Sequence, residues 1–263
     1  PIDISVYLLN INEDDIKIYL LLFPPVEKEN DSLKESNLFS GEEEKYDAEN
    51  LLPQFKELIG ENSIFKRALL TAQRAAKSNI SVLITGESGT GKEILARAIH
   101  QASSRFIKPL IDVNCAAIPD TLIESELFGY EKGAFTGAKS EGSRGYFDEA
   151  HEGTILLDEV GDASLQTQAK LLRVLESGTF KRVGGTKNIK VDVRIISSTN
   201  RDLTTLIEEK KFREDLYFRL NAFTIFLPPL RQRREDISLL VDYFLKSNEE
   251  KTKKNFKFSP AVM

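Results

Sequence analysis

A short apolar run, Ser81-Val-Leu-Ile-Thr85, leads directly into Gly86-Glu-Ser-Gly-Thr-Gly-Lys-Glu93, and helical periodicity begins at Lys92. This order of buried strand, glycine-rich turn and helix opening on a lysine fixes one strand, one helix and the bend between them. The glycines let backbone amides turn inward around phosphate oxygens, and the helix start adds its unpaired N–H groups and positive dipole end. Gly86, Glu87, Ser88, Gly89, Thr90, Gly91, Lys92 and Glu93 are therefore the candidate phosphate-binding residues, with Lys92 reaching the β- and γ-phosphates. Glu93 stands where a Ser or Thr commonly ligates magnesium, which shifts that task to waters and a carboxylate elsewhere.

The surrounding pattern alternates strands with helices. Helices are expected at 63–77, 91–102, 120–128, 164–176, 202–208, 213–219 and 235–249, and strands at 81–85, 110–114, 154–158, 191–198 and 223–227. Such alternation predicts a parallel sheet covered by helices on both faces. A glycine-rich excursion at 129–145 and a loop at 177–189 interrupt it. Residues 2–8 alternate apolar with polar, and a second strand-like run from Ile16 to Phe23 stops at Pro24-Pro25. These two runs read as the last hairpin of an upstream sensory domain or an edge strand pair; a partly ordered tail is the plain alternative.

Charge marks the boundary between these parts. The net charge is −5, and Glu27 to Asn50 holds nine acidic residues against three lysines, so the rest of the chain is close to neutral. The acidity belongs to a linker and not to a binding face. No basic patch of the size a dedicated DNA-binding domain needs is present. The single cysteine, Cys115, excludes an internal disulfide, and His100 and His151 lie too far apart for a metal-ligand spacing. No apolar run approaches membrane-spanning length and no signal segment opens the chain, so a cytoplasmic protein is expected. The expected divisions are a sensory remnant at 1–26, an acidic linker at 27–54, a nucleotide-binding α/β unit at 55–230 and the start of a helical lid at 231–263.

Two further strands end in groups suited to ATP hydrolysis. Thr154-Ile-Leu-Leu-Asp158 precedes Glu159, placing a magnesium-directed carboxylate (Asp158) beside one able to polarise water (Glu159). Val193 to Asn200 ends in Thr199 and Asn200, and ligands in such sheets bind at the carboxyl ends of strands. Asn200 is a candidate for orienting water or sensing the γ-phosphate. Asn114, ending the strand at 110–114, is similarly placed, with a helix cap or turn amide as the competing reading. Gly133-Ala-Phe-Thr-Gly-Ala138 puts an aromatic and a hydroxyl on a loop of small residues.

Together these residues resemble the AAA+ ATPase domain of bacterial sigma-54-dependent transcription activators. Besides the segments already quoted, the resemblance rests on Asn114-Cys-Ala-Ala117, Glu126-Leu-Phe-Gly129, Leu171-Leu-Arg-Val174, Arg182-Val-Gly-Gly185 and Phe212-Arg-Glu-Asp-Leu-Tyr-Phe-Arg-Leu220. It runs from about Phe55 to the last residue, and Glu93 after the lysine looks ordinary for that family. The fold it implies is a P-loop AAA+ three-layer sandwich with a central parallel sheet, here with an incomplete helical lid and the N-terminal hairpin. The activity it implies is hydrolysis of ATP, with Mg²⁺, in a homo-oligomeric, hexameric ring that drives sigma-54 RNA polymerase from closed to open promoter complex.

By the same resemblance, Gly133, Ala134, Phe135, Thr136, Gly137 and Ala138 contact sigma-54, and a second loop near Phe180 to Lys187 supports them. Asn114 holds Glu159 unproductive until the target is engaged. Arg213 and Arg219 act as arginine fingers in the neighbouring subunit; six residues apart, they cannot share a face of one regular helix. The family's lid motif of the Trp-Pro-Gly-Asn-Val-Arg-Glu-Leu type and its DNA-binding module do not occur before Met263, so DNA contact is expected only through a C-terminal domain outside this sequence. An AAA+ remodeller of another target, or a nucleotide-binding module inactive without its lid, are the alternative readings.

Overall fold

The computed structural model describes residues 6–10, 17–21, 51–135 and 140–252. The chain divides into two units, Pro1–Lys45 and Tyr46–Met263. In the first, β1 (Val6–Asn10) and β2 (Lys17–Leu21) pair antiparallel, from Val6 opposite Leu21 to Asn10 opposite Lys17. The acidic stretch 27–50 lies outside the described residues.

The second unit is built on five parallel strands: β3 (Val82–Thr85), β4 (Leu110–Asn114), β5 (Thr154–Asp158), β8 (Arg194–Thr199) and β9 (Thr224–Phe226), in the spatial order β4-β5-β8-β3-β9. Strand periodicity divides their side chains between two cores. Leu83, Ile155, Leu157 and Ile195 face one cluster, and Val82, Ile84, Leu156 and Ile196 face the other. Helices α1 (Ser63–Ala76) and α2 (Lys92–Gln101) cover the second cluster. The first is covered by α3 (Asp120–Phe128), α5 (Leu165–Ser177), α6 (Leu203–Glu208) and α7 (Glu214–Leu220). The result is helices, sheet and helices in three layers.

Local chemistry sets the helix starts. Asn62 Oδ1 accepts from the amides of Ile64 and Phe65 at the head of α1, and Ser164 Oγ accepts from Thr167 N at the head of α5. At the other end of α1, fully buried Arg194 donates to the carbonyls of Ala75 at 2.8 Å and Ala76 at 3.3 Å. Burial, with Arg105 nearby, pulls its guanidinium down to about 10.

The described parts of the excursion after α3 carry pairing that its glycines do not suggest. Tyr130 bridges Ser143 on one side and Val183 on the other, and a four-residue helix, α4 (Tyr146–Glu149), closes it. Phe147 on α4 stacks on Phe128 with centroids 5.4 Å apart, and Phe180 tilts against both. Phe180 belongs to a two-residue strand, β6 (Thr179–Phe180), paired with β7 (Ile189–Lys190), inside the segment expected to be loop. The last helix, α8 (Asp236–Thr252), follows the connector after β9.

Candidate nucleotide site

Parallel register collects the candidate residues at one edge of the sheet. Thr85 lies opposite both Thr199 and Phe226, and Asn114 lies opposite Asp158, so the carboxyl ends of all five strands lie along it. From Thr85 the chain enters the phosphate loop, where Gly86, Gly89 and Gly91 all have positive φ. Gly86 also passes so close to β9 that a Cβ would sit 2.7 Å from the Leu227 carbonyl oxygen, which bars any other residue. Thr90 Oγ1 donates to the Glu87 carbonyl at 2.8 Å, tightening the turn.

Lys92, only 6% exposed, donates from Nζ to the carbonyls of Gly86 (3.0 Å) and Glu87 (3.2 Å), and lies 3.3 Å from Glu159 Oε1. Glu159 is held on its other side by the backbone N–H of Asn200, which donates to Oε2 at 2.9 Å. Its backbone is left-handed, φ 51° and ψ 48°, a conformation that costs a side-chain-bearing residue about 1–2 kcal/mol. From this turn the carboxylate lies against Lys92. Asp158 is tied by Ser198 Oγ, donating to Oδ1 at 2.5 Å, and by Asn114 Nδ2, donating to Oδ2 at 3.2 Å.

The partner of Asn114 differs from the expectation. Its amide reaches Asp158 and not Glu159, because the β4–β5 register sets it directly beside the former. Its Oδ1 accepts from the amides of Ala116 and Ala117, so the turn-forming role and the site contact coexist in one side chain. Thr199 is buried and its Oγ1 accepts from Arg201 N, while its carbonyl accepts from Gly86 N. Glu93 points to Arg97 one turn on, at 2.8 Å. Cys115 is buried beside Asp158; burial foremost, then the Asp158 charge, pushes its thiol up to about 12, so it is no nucleophile here.

A cavity of about 670 Å³ opens beside the phosphate loop, walled by Leu58 and Ile59, Phe65, Glu87 to Gly91, Arg231 and Arg233, and Tyr243 and Phe244 of α8. Leu58, Ile59, Phe65, Tyr243 and Phe244 give it an apolar side beside the phosphate loop, which suits a molecule with a flat apolar end and an anionic end. Among the described residues no three His, Cys, Asp or Glu side chains converge on a metal position. A magnesium ion here would take Asp158 together with phosphate oxygens and water, the ligand set that ion favours.

The remaining candidates lie away from this edge. Arg213 caps the start of α7, its amide donating to Oε1 of the buried Gln168 at 2.8 Å and its guanidinium paired with Asp215 at 2.7 and 3.0 Å. That pairing holds the Asp215 carboxyl below its usual range. Arg219, in the last turn of α7, is exposed, with Glu176 at 3.9 Å. Of the loop expected to contact sigma-54, Gly133 to Phe135 are described; Thr136, Gly137 and Ala138 lie outside the described residues. Phe135 is 40% exposed and packs edge-on to Tyr130 at 5.0 Å. Ala134 lies so near Gly184 that a Cβ there would approach it to 2.9 Å, and Arg182 reaches Glu131 and Asp148, so the segment around Arg182 to Gly185 braces the loop's stem.

Residues 58–226 match the family model of the sigma-54 interaction domain. The chain belongs to this family. Among relatives of this sigma-54 interaction domain, the regulatory protein AtoC of Escherichia coli (strain K12) is 60% identical over 172 residues, covering 65% of this chain and 37% of AtoC. A Nif-specific regulatory protein of Rhizobium leguminosarum bv. trifolii is 51% identical over 207 residues, 79% of this chain and 58% of that protein. The solved structure of NtrX from Brucella abortus in complex with ADP superposes with TM-score 0.72 at 45% identity, over 77% of this chain and 44% of that one. The sigma-54 interaction domain described here thus spans between about a third and three fifths of the length of these curated relatives. Its fold is that of a P-loop AAA+ NTPase. No helix among the described residues is long and apolar enough to cross a membrane.

Sequence reasoning found the residues at the strand ends and missed two that hold candidates in place, Ser198 and Gln168. Ser198 carried no signal beyond its place before Thr199. Gln168 had a faint one, an amide on the apolar stripe of α5, where a buried polar group must have partners.

Proposed function

We propose that this domain hydrolyses ATP, with Mg²⁺, to remodel sigma-54 RNA polymerase from closed to open promoter complex. The observation that carries the reading is the pairing of Lys92 with Glu159, beside Asp158, in a chain whose family is defined by sigma-54 interaction. Lys92 binds the β- and γ-phosphates when nucleotide is present, which frees Glu159 to polarise a water held near Asn200 and Thr199. Magnesium, when bound, supplies positive charge at the phosphate oxygens, with Asp158 as its protein ligand. Asn114, on the other oxygen side of Asp158, couples the state of this edge to the chain leaving β4.

Arg213 and Arg219 are proposed to complete the site of a neighbouring copy in a hexameric ring. Both are exposed, and Arg213 is already presented at a helix entrance by Gln168. Gly133 to Ala138 are proposed to touch sigma-54, with Phe135 and Thr136 foremost. A small-residue loop carrying a half-exposed phenylalanine on a braced stem supports this. The test replaces Thr136 by Ala and compares ATP hydrolysis with capture of purified sigma-54. Retained hydrolysis with lost capture is expected; equal loss of both would show that the loop does not act separately from catalysis.

A further inference from the structure

The connector between β9 and α8 lines the cavity through Pro229, Leu230, Arg231 and Arg233. Its single 3-10 turn, Leu230–Gln232, brings Arg231 onto the phosphate loop. There the guanidinium makes a two-pronged pair with Glu87, a residue 144 positions away: Nη1 donates to Oε2 at 2.6 Å and Nη2 donates to Oε1. This is the fork-to-fork geometry that arginine, and not lysine, can offer a carboxylate. The connector is itself anchored. The Arg233 guanidinium carbon lies 4.1 Å from the centre of the Phe65 ring, over its face, and the fully buried Asp236 accepts from the amides of Glu61 and Asn62.

Glu87 is an odd residue for its position. It belongs to the loop proposed to receive the phosphates, its own carbonyl serves Lys92 and Thr90, and its carboxylate adds negative charge to that loop. Arg231 cancels that charge and lowers the Glu87 carboxyl below its ordinary range. Building on the nucleotide reading above, we infer that Arg231 is a positioning residue for the nucleotide: it neutralises the phosphate loop's own carboxylate and fastens that loop to the root of α8. Its effect on binding runs through Glu87.

The test is equilibrium binding of ribose-labelled fluorescent ADP to the purified chain, its R231A, R231K and E87Q variants, and the R231A/E87Q double variant, at low and high salt. An unpaired exposed carboxylate near the phosphates should weaken binding about threefold to tenfold in R231A, less at high salt. R231K should fall between R231A and the parent, and R231A/E87Q should return to within about twofold of the parent. E87Q alone should bind at least as tightly as the parent, a result that stands even if R231A folds poorly. If the parent binds but R231A binds equally well, or E87Q fails to rescue it, the inference is overturned while the nucleotide reading stands. If the parent binds no ADP, the nucleotide reading falls and the inference with it.

Discussion

Asp236 ties the entry of α1 to the start of α8, and its loss should be expensive. One carboxylate oxygen, Oδ1, accepts from Glu61 N at 2.7 Å and Asn62 N at 3.0 Å; the residue is fully buried, and Arg233 Nη1 lies 3.9 Å from the other oxygen. In Asp236→Ala both amides lose their acceptor, the buried Asn62 amide most severely, at about 1–3 kcal/mol each, and buried Arg233 loses the carboxylate beside it. The expected destabilisation is about 3–5 kcal/mol. Asp236→Asn keeps an oxygen where both amides point and loses only the charge, for about 1–2 kcal/mol. The chain has no tryptophan, so unfolding in urea is best followed by far-UV circular dichroism. With slopes of about 2–3 kcal/mol/M the Ala midpoint should fall by roughly 1–2.5 M, and the Asn midpoint by well under half of that. Equal shifts for the two variants, or an Ala shift below roughly 0.3 M, would refute the claim that the carboxylate pins these segments.

Other outcomes follow from the same geometry. Glu159→Gln should retain ADP binding, measured by fluorescence, while ATP turnover falls about 10²- to 10⁴-fold, as loss of a general base requires. Arg213→Ala and Arg219→Ala should each preserve nucleotide affinity but lower turnover, by as much as about 10³- to 10⁵-fold for a true finger. An unchanged rate in either would leave that arginine as a surface ion-pair partner. His100 is held below its ordinary value chiefly by burial, and its Nδ1 lies 3.0 Å from Thr154 Oγ1. The unfolded chain therefore takes up this proton first as pH falls below about 6.5, so stability is present above that pH and is lost on acidification toward the folded value. Urea midpoints measured across that window should decline less steeply in His100→Asn.

What could be read in advance followed how local each signal was. The phosphate loop, β4, β5 and α3 came out at or within a residue of their bounds, because glycine spacing, apolar runs and helix starts are written in neighbouring residues. The β6–β7 pair and α4 were missed because two- and four-residue elements are too short to show a period. Arg194 was read as part of an apolar strand; that it caps α1 depends on a helix end 118 residues away. Glu87 with Arg231, and Asp236 with Glu61, are likewise joined only by the fold. Asn114 shows the limit within the site itself. Its position at a strand end was readable, but its partner was decided by sheet register, which puts Asp158 and not Glu159 beside it.

Co-migration of this chain with purified sigma-54 on a native gel, with and without ADP plus aluminium fluoride, tests the proposed function most directly. ADP with aluminium fluoride mimics the hydrolysis transition state, so a complex seen only in its presence is the predicted result. It would join the target, the nucleotide gate and assembly in one observation. Tight nucleotide binding with no sigma-54 complex would contradict the account.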